Sequence, residues 1–231
     1  MTKAHPIESP LKRATGLRLW LPNAITGLRL LISFVFFIQL ARWSAPPDWA
    51  GGPHPQSSLL WLASLSFVLA AGTDALDGYL ARRWAAVTRF GRIMDPFADK
   101  ILIVGAFVML AGPQFASTPP GSSSPVQITG VQSWMVVVIL GRELLVTSIR
   151  AVLEAEGADF SASLSGKLKM TVQSLAVPAA LIIPACLHIS QGSSGLLLVN
   201  ISAWATTVIT VLSGVPYVIR GLAAFSSSDR P

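Results

Sequence analysis

The sequence predicts an all-α integral membrane protein built from six transmembrane helices. Three observations carry that expectation. Charged residues make up only 12% of the 231-residue chain, about half the roughly 25% usual in soluble domains. Hydrophobic residues make up 52%, and they fall into six apolar runs, each about the length needed to cross a hydrocarbon core. The segments between the runs alternate between basic ones and ones without Lys or Arg. Length alone would fit one or two soluble domains, but so few charges cannot cover a soluble surface.

Taken in order, residues 1–21 form a basic segment, with Lys3, Lys12, Arg13 and Arg18 against Glu8 as the only acid. It reads as a juxtamembrane stretch lying on anionic lipid. The apolar run that follows is long and lacks a small-residue cleavage site, which argues against a signal peptide. The spans are expected at 22–41, 59–80, 91–110, 133–153, 168–187 and 196–219. They make a six-helix domain over 22–220, with a short cytoplasmic tail at 221–231. Pro22 is expected at the start of the first helix, where its missing N–H does no harm.

Orientation follows from the loops. The segments 46–58 and 113–132 contain no Lys or Arg. Both are rich in Pro, Gly and Ser, as is the turn at 190–195. The opposite set holds Arg82, Arg83, Arg89 and Arg92, then Arg150, Lys167 and Lys169. If both termini belong to that set, all of the seventeen basic residues except Arg29, Arg42, Lys100 and Arg142 lie on one side. The positive-inside rule makes that side cytoplasmic. The formal net charge of +6 then reflects orientation and anionic headgroups rather than nucleic acid. The single cysteine, Cys186, excludes an intrachain disulfide and a multi-cysteine metal site. His5, His54 and His188 lie outside the apolar spans or at their edges, which argues against an intramembrane zinc or heme centre.

Five of the eleven acidic residues (Asp74, Asp77, Asp95, Asp99 and Glu143) sit inside or at the margin of these spans. A carboxylate there costs at least roughly 2.5 kcal/mol, so the cluster calls for a function. Asp74 and Asp77 are three apart and Asp95 and Asp99 four apart, spacings that put each pair on one helix face. Counted inward from the short loop joining the second and third spans, both pairs reach similar depth. Four carboxylates converging on a polar cavity open to the cytoplasm would repel one another without a cation among them. Oxygen donors without His or Cys suit Mg²⁺ or Mn²⁺, and two such ions are a common arrangement in phosphoryl chemistry. The alternatives are pairing of each Asp with a cation such as Arg82, Arg92 or Lys100, and an ion- or proton-transport site.

The whole string reads Asp74-Ala-Leu-Asp77-Gly78-Tyr-Leu-Ala81-Arg82, eight residues, then Gly91-x-x-x-Asp95-x-x-x-Asp99. It resembles, without gap or substitution, the signature of the CDP-alcohol phosphotransferases, and the six-span layout is similar too. The resemblance implies transfer of a phosphatidyl or similar group from a CDP-alcohol to an acceptor hydroxyl, with CMP leaving. It implies that Asp74, Asp77 and Asp95, with Asp99 close by, hold two divalent cations, Mg²⁺ or Mn²⁺. It also implies that Asp99 is the general base. Gly78, Ala81 and Gly91 would let the nucleotide approach the helix backbones, and Arg82 would meet a phosphate with its planar fork. Small residues at such positions also serve close helix packing.

Secondary motifs narrow the acceptor. Pro22-Asn23-x-x-Thr26-x-x-Arg29, Gly141-Arg142-Glu143, and Ser165-Gly166-Lys167-Leu-Lys169-Met-Thr171 resemble bacterial family members that make phosphatidylglycerophosphate. The resemblance implies CDP-diacylglycerol and sn-glycerol 3-phosphate as substrates, with Asn23 and Thr26 near the CDP moiety. Arg142, Arg150, Lys167 and Lys169 would then meet the acceptor phosphate. Inositol phosphate would satisfy the same charges, and serine would not need them. The resemblance further implies a homodimer in the bacterial inner membrane, with the active site and both termini on the cytoplasmic side. An intact set of aspartates argues against an inactive scaffold.

Overall fold

A computed structural model describes residues 17–46, 52–84, 89–118, 123–155, 164–190 and 192–228. Six helices dominate: α1 (Leu17–Arg42), α2 (Ser57–Trp84), α3 (Arg89–Leu110), α4 (Ser133–Ala155), α5 (Leu164–Cys186) and α6 (Ser194–Ser228). Their middles coincide with the six apolar runs, but their ends run further. α1 already begins at Leu17, so Pro22 lies inside the helix rather than at its start. Its missing N–H removes one bond of the ladder, to the carbonyl of residue 18. α6 continues past 219 to Ser228.

α1, α2, α5 and α6 are each long and apolar enough to cross a membrane. α3 and α4 carry more charge: Arg89, Arg92, Asp95, Asp99 and Lys100 on the first, and Arg142, Glu143, Arg150 and Glu154 on the second. They still present apolar side chains outward. Ile93 and Phe97 on α3, and Val137 and Leu144 on α4, are more than half exposed. So are Leu31, Phe34, Leu175, Leu212 and Ile219 on the other helices. Large apolar side chains exposed on every side make a surface suited to lipid and not to water. The protein is a helical membrane protein.

The three connections without Lys or Arg meet at one end of the bundle. Ala45 N–H donates to the Gln114 carbonyl (2.9 Å) and Gly52 N–H to the Pro184 carbonyl (2.9 Å). The Trp43 and Phe115 rings stack at 4.6 Å. Between α3 and α4 a 3₁₀ turn, Pro113–Phe115, leads into a two-residue antiparallel ladder, β1 (Ala116–Ser117) with β2 (Val126–Gln127). This small ladder departs from the all-α expectation. Gln127 Nε2 and Thr129 Oγ1 tie it to the α3 end through the Leu110 carbonyl, both at 2.8 Å. Gly130 adopts a φ of +71°, and a Cβ there would stand 2.6 Å from the Val199 carbonyl oxygen of α6. No other residue fits that crossing.

The core sits toward this end, around Phe36, Leu40, Phe67, Leu102, Phe107, Met135 and Leu181. Phe36 and Phe67 meet at 5.5 Å. α1 packs along both α2 and α3, while α2 and α3 touch each other over a shorter stretch. Sequence reasoning took α2 and α3 as the neighbours that bring the aspartates together. The structure puts α1 between them as the shared partner. Toward the opposite end, the apolar core gives way to buried polar residues.

Candidate active site

α1 contributes the first part of the site. Thr26 and Arg29 lie on one face, three residues apart, and both are almost fully buried. Leu28 and Leu31 on the other face are about half exposed. The periodicity of the helix therefore drives a guanidinium inward. Arg29 Nη1 lies 2.8 Å from Asp74 Oδ1 on α2. Thr26 Oγ1 donates to Asp95 Oδ1 on α3 at 2.7 Å. One turn of α1 thus engages one aspartate from each pair. Ser33 Oγ donates to the Arg29 carbonyl at 2.8 Å, satisfying its own hydroxyl within α1.

Asp74 has a cationic partner in Arg29, a residue not named in the alternative of pairing with Arg82, Arg92 or Lys100; the Arg82 and Arg92 side chains lie outside the described residues. Lys100 donates instead to Thr147 Oγ1 on α4 at 2.6 Å. Asp74 remains 43% exposed at its side chain, so the carboxylate is open to a further partner. The side chains of Asp77, Ala81, Arg82 and Lys167 lie outside the described residues. Gly78 and Asn23 are half-buried and Gly91 is buried. Among the described residues, no three His, Cys, Asp or Glu side chains form a metal-binding group.

The second part of the site is a cleft of about 410 Å³ between α3, α4, α5 and α6. Asp99, Lys100, Arg142, Glu143, Thr147, Arg150, Lys169 and Tyr217 bring its polar groups. Three of the four expected phosphate-binding residues, Arg142, Arg150 and Lys169, therefore line one cavity. Arg150 is exposed, whereas Lys169 is buried.

Glu143 holds the two deeper cations. It is 7% exposed, with Oε1 lying 2.5 Å from Lys169 Nζ and 3.4 Å from Arg142 Nη1. Thr147 Oγ1 donates to the Glu143 carbonyl at 2.7 Å and so links this group to Lys100. A buried carboxylate between two cations avoids the penalty of an unpaired charge. With Lys100 and Arg150, the cleft offers four cations against two carboxylates, which leaves room for an anion of charge −2.

Asp99 joins the two parts. It lines the cleft and interacts electrostatically with Asp74 and Arg29 on one side and with Lys169 and Glu143 on the other. Asp95 and Asp99, one turn apart on α3, therefore serve different neighbours: the first meets α1, the second faces the cleft. Pro96 between them cannot donate to the carbonyl four residues before it, and it also lines the cleft.

Sequence reasoning placed Arg29 and Glu143 in motifs but gave Arg29 no site role and did not make Glu143 the anchor of the cations. A lone Arg in the apolar run of α1, three residues after Thr26, was the available signal for the first. Tyr217 gave no signal.

Comparison with known proteins shows the family. Residues 19–213 match the family described as CDP-alcohol phosphatidyltransferase. The chain is 32% identical over 212 residues to the CDP-diacylglycerol–glycerol-3-phosphate 3-phosphatidyltransferase of Bacillus subtilis, covering 90% of this chain and 98% of that one. It is 32% identical over 160 residues to the protein of the same name from Cereibacter sphaeroides, covering 68% of this chain and 61% of that one. The match takes in both the aspartate string and the cationic cleft, and the chain belongs to the CDP-alcohol phosphatidyltransferase family.

Proposed function

We propose that this protein transfers the phosphatidyl group of CDP-diacylglycerol to sn-glycerol 3-phosphate, giving phosphatidylglycerophosphate and CMP. The observation that carries the acceptor is the cleft, where Arg142, Arg150 and Lys169 gather beside Asp99. A phosphate monoester needs concentrated positive charge, and its neighbouring hydroxyl needs a base within reach. The cleft supplies both, and the relatives named above carry the same activity in their names.

In this reading the acceptor enters with its phosphate toward Arg142, Arg150, Lys167 and Lys169, whose charge-assisted hydrogen bonds hold it. Asp99 takes the proton from the acceptor hydroxyl as its oxygen attacks the β-phosphorus of the CDP-lipid. The bond from that phosphorus to the oxygen bridging to CMP breaks, and CMP leaves. Asn23, Thr26, Gly78, Ala81, Arg82 and Gly91 surround the CDP moiety.

The family generally uses a divalent metal, and the donors here fit one. Asp74 and Asp95 are oxygen ligands held by α1 at the meeting of α1, α2 and α3, and Asp74 keeps an exposed carboxylate. Asp74, Asp77, Asp95 and Asp99 would hold two cations, Mg²⁺ or Mn²⁺. Bound there, they would offset the charge of the diphosphate. Arg29 and Thr26 orient two of these carboxylates.

All six helices cross the membrane in this reading, α3 and α4 with Asp99, Arg142 and Glu143 lining the cleft. The site and both termini face the cytoplasm of a bacterium, and the protein is a homodimer in its inner membrane. The test is CMP release by the purified protein in detergent, with lipid product identified by mass. Release should require CDP-diacylglycerol, glycerol 3-phosphate and a divalent cation, and should stop in excess chelator. Ion flux without CMP release would favour a transporter, and preference for inositol phosphate would change the acceptor.

A further inference from the structure

Arg142 stands out among the cleft cations because helix α6 shapes its surroundings. Its side chain is only 10% exposed, so its course is set by what it packs against. Glu143 holds one end, 3.4 Å from Nη1. The Tyr217 ring lies 6.0 Å from the guanidinium carbon, within the reach of a cation–π interaction. Gly214, one turn before Tyr217, faces the stem. A Cβ at this position would come 3.2 Å from Arg142 Cγ, tighter than most side-chain contacts, and 3.4 Å from Nε, an ordinary contact. Arg142 Nε is itself buried without a hydrogen-bond partner among the described residues. Among the described residues no polar group bonds Nε, which leaves shape and the ring to hold that side of the guanidinium.

We propose that Gly214 and Tyr217 of α6 are positioning residues for the acceptor: the glycine clears the path of the Arg142 stem, and the tyrosine ring holds its guanidinium toward the cleft. Resting on the reading of the cleft as the acceptor-phosphate site, this adds α6 to the elements that set acceptor specificity. Tyr217 acts through its ring face. The hold on Arg142 comes from the ring, so Tyr217→Phe should raise the acceptor KM less than Tyr217→Leu does. Gly214→Ala adds one carbon in a tight approach to the Arg142 stem, which must give by a few tenths of an ångström.

The test is steady-state CMP release with both substrates varied, in the full-length protein. Tyr217→Leu should raise the glycerol 3-phosphate KM about three- to thirtyfold, the range of a partly to fully desolvated cation–π contact. The CDP-diacylglycerol KM should stay within twofold. Gly214→Ala should move the same constant in the same direction by less. In an Arg142→Gln background, Tyr217→Leu should add nothing further, because the two changes remove one interaction. A full additional loss in that background, or equal effects on both KM values, would overturn the positioning role. So would a rise in the acceptor KM in Tyr217→Phe equal to that in Tyr217→Leu. If wild-type protein releases no CMP with glycerol 3-phosphate, the acceptor reading itself fails, and the proposal with it. Should Tyr217→Leu not fold, the Phe variant and Gly214→Ala still decide the matter: an unchanged acceptor KM in Gly214→Ala contradicts the proposal.

Discussion

The guanidinium of Arg29 lies 2.8 Å from the carboxylate of Asp74, yet the two side chains differ sharply in exposure, at 1% and 43%. The pair therefore has a buried end and an open end. Thr26, one turn earlier on α1, bonds Asp95 on α3. α1 thereby works as a brace that holds one aspartate from each of two helices in register.

That asymmetry sets the first expectation. Removing the carboxylate by Asp74→Ala deprives a fully buried guanidinium of this partner, whereas Arg29→Met leaves a carboxylate that water can reach. Breaking a buried pair costs about 3–5 kcal/mol, and the exposure of Asp74 puts its loss near the lower figure. Thermal unfolding in detergent should show Asp74→Ala as the less stable of the two variants. The reverse order would contradict the brace.

Glu143 yields a second test. With Glu143→Gln, Arg142 and Lys169 lose the anion between them, and their mutual repulsion in a buried setting should lower stability by about 3 kcal/mol. An anion bound in the cleft would replace that charge. Glycerol 3-phosphate should then raise the unfolding temperature more in Glu143→Gln than in wild type. Equal shifts in the two proteins would separate Glu143 from the acceptor site.

Asp99 is assigned a chemical role, so its loss should act on turnover. Asp99→Asn should lower kcat by about 10²–10⁴, the usual contribution of a general base. The KM for CDP-diacylglycerol should change little. Loss of CDP-lipid binding in this variant would assign Asp99 chiefly to holding cations.

The helices themselves were legible in the sequence because an apolar run of about twenty residues has few other uses. Their ends were less so. The Ser- and Gly-containing stretch after 219 carries no strong periodicity, and the helix runs through it to Ser228. The ladder between α3 and α4 is two residues per strand, too short for any alternation to appear. In the site, the aspartates were visible because carboxylates in an apolar span are costly. Their partners were hidden for the opposite reason. Arg29 joins Asp74 across 45 positions, and Lys169 joins Glu143 across 26, separations that only the packing of antiparallel helices resolves. Tyr217 and Gly214 read as ordinary residues of an apolar helix until Arg142 is seen between α4 and α6.

The central claim is that the cationic cleft holds the acceptor phosphate, and Arg142→Gln tests it most directly. Arg142 lines the cleft with a nearly buried side chain, so the change removes a fixed charge and not a loop cation. One charge-assisted hydrogen bond contributes roughly 1.5–3 kcal/mol. CMP-release kinetics should therefore show kcat/KM for glycerol 3-phosphate falling about ten- to a hundredfold, with the CDP-diacylglycerol KM nearly unchanged. An unaltered glycerol 3-phosphate KM, or equal losses toward both substrates, would contradict the account.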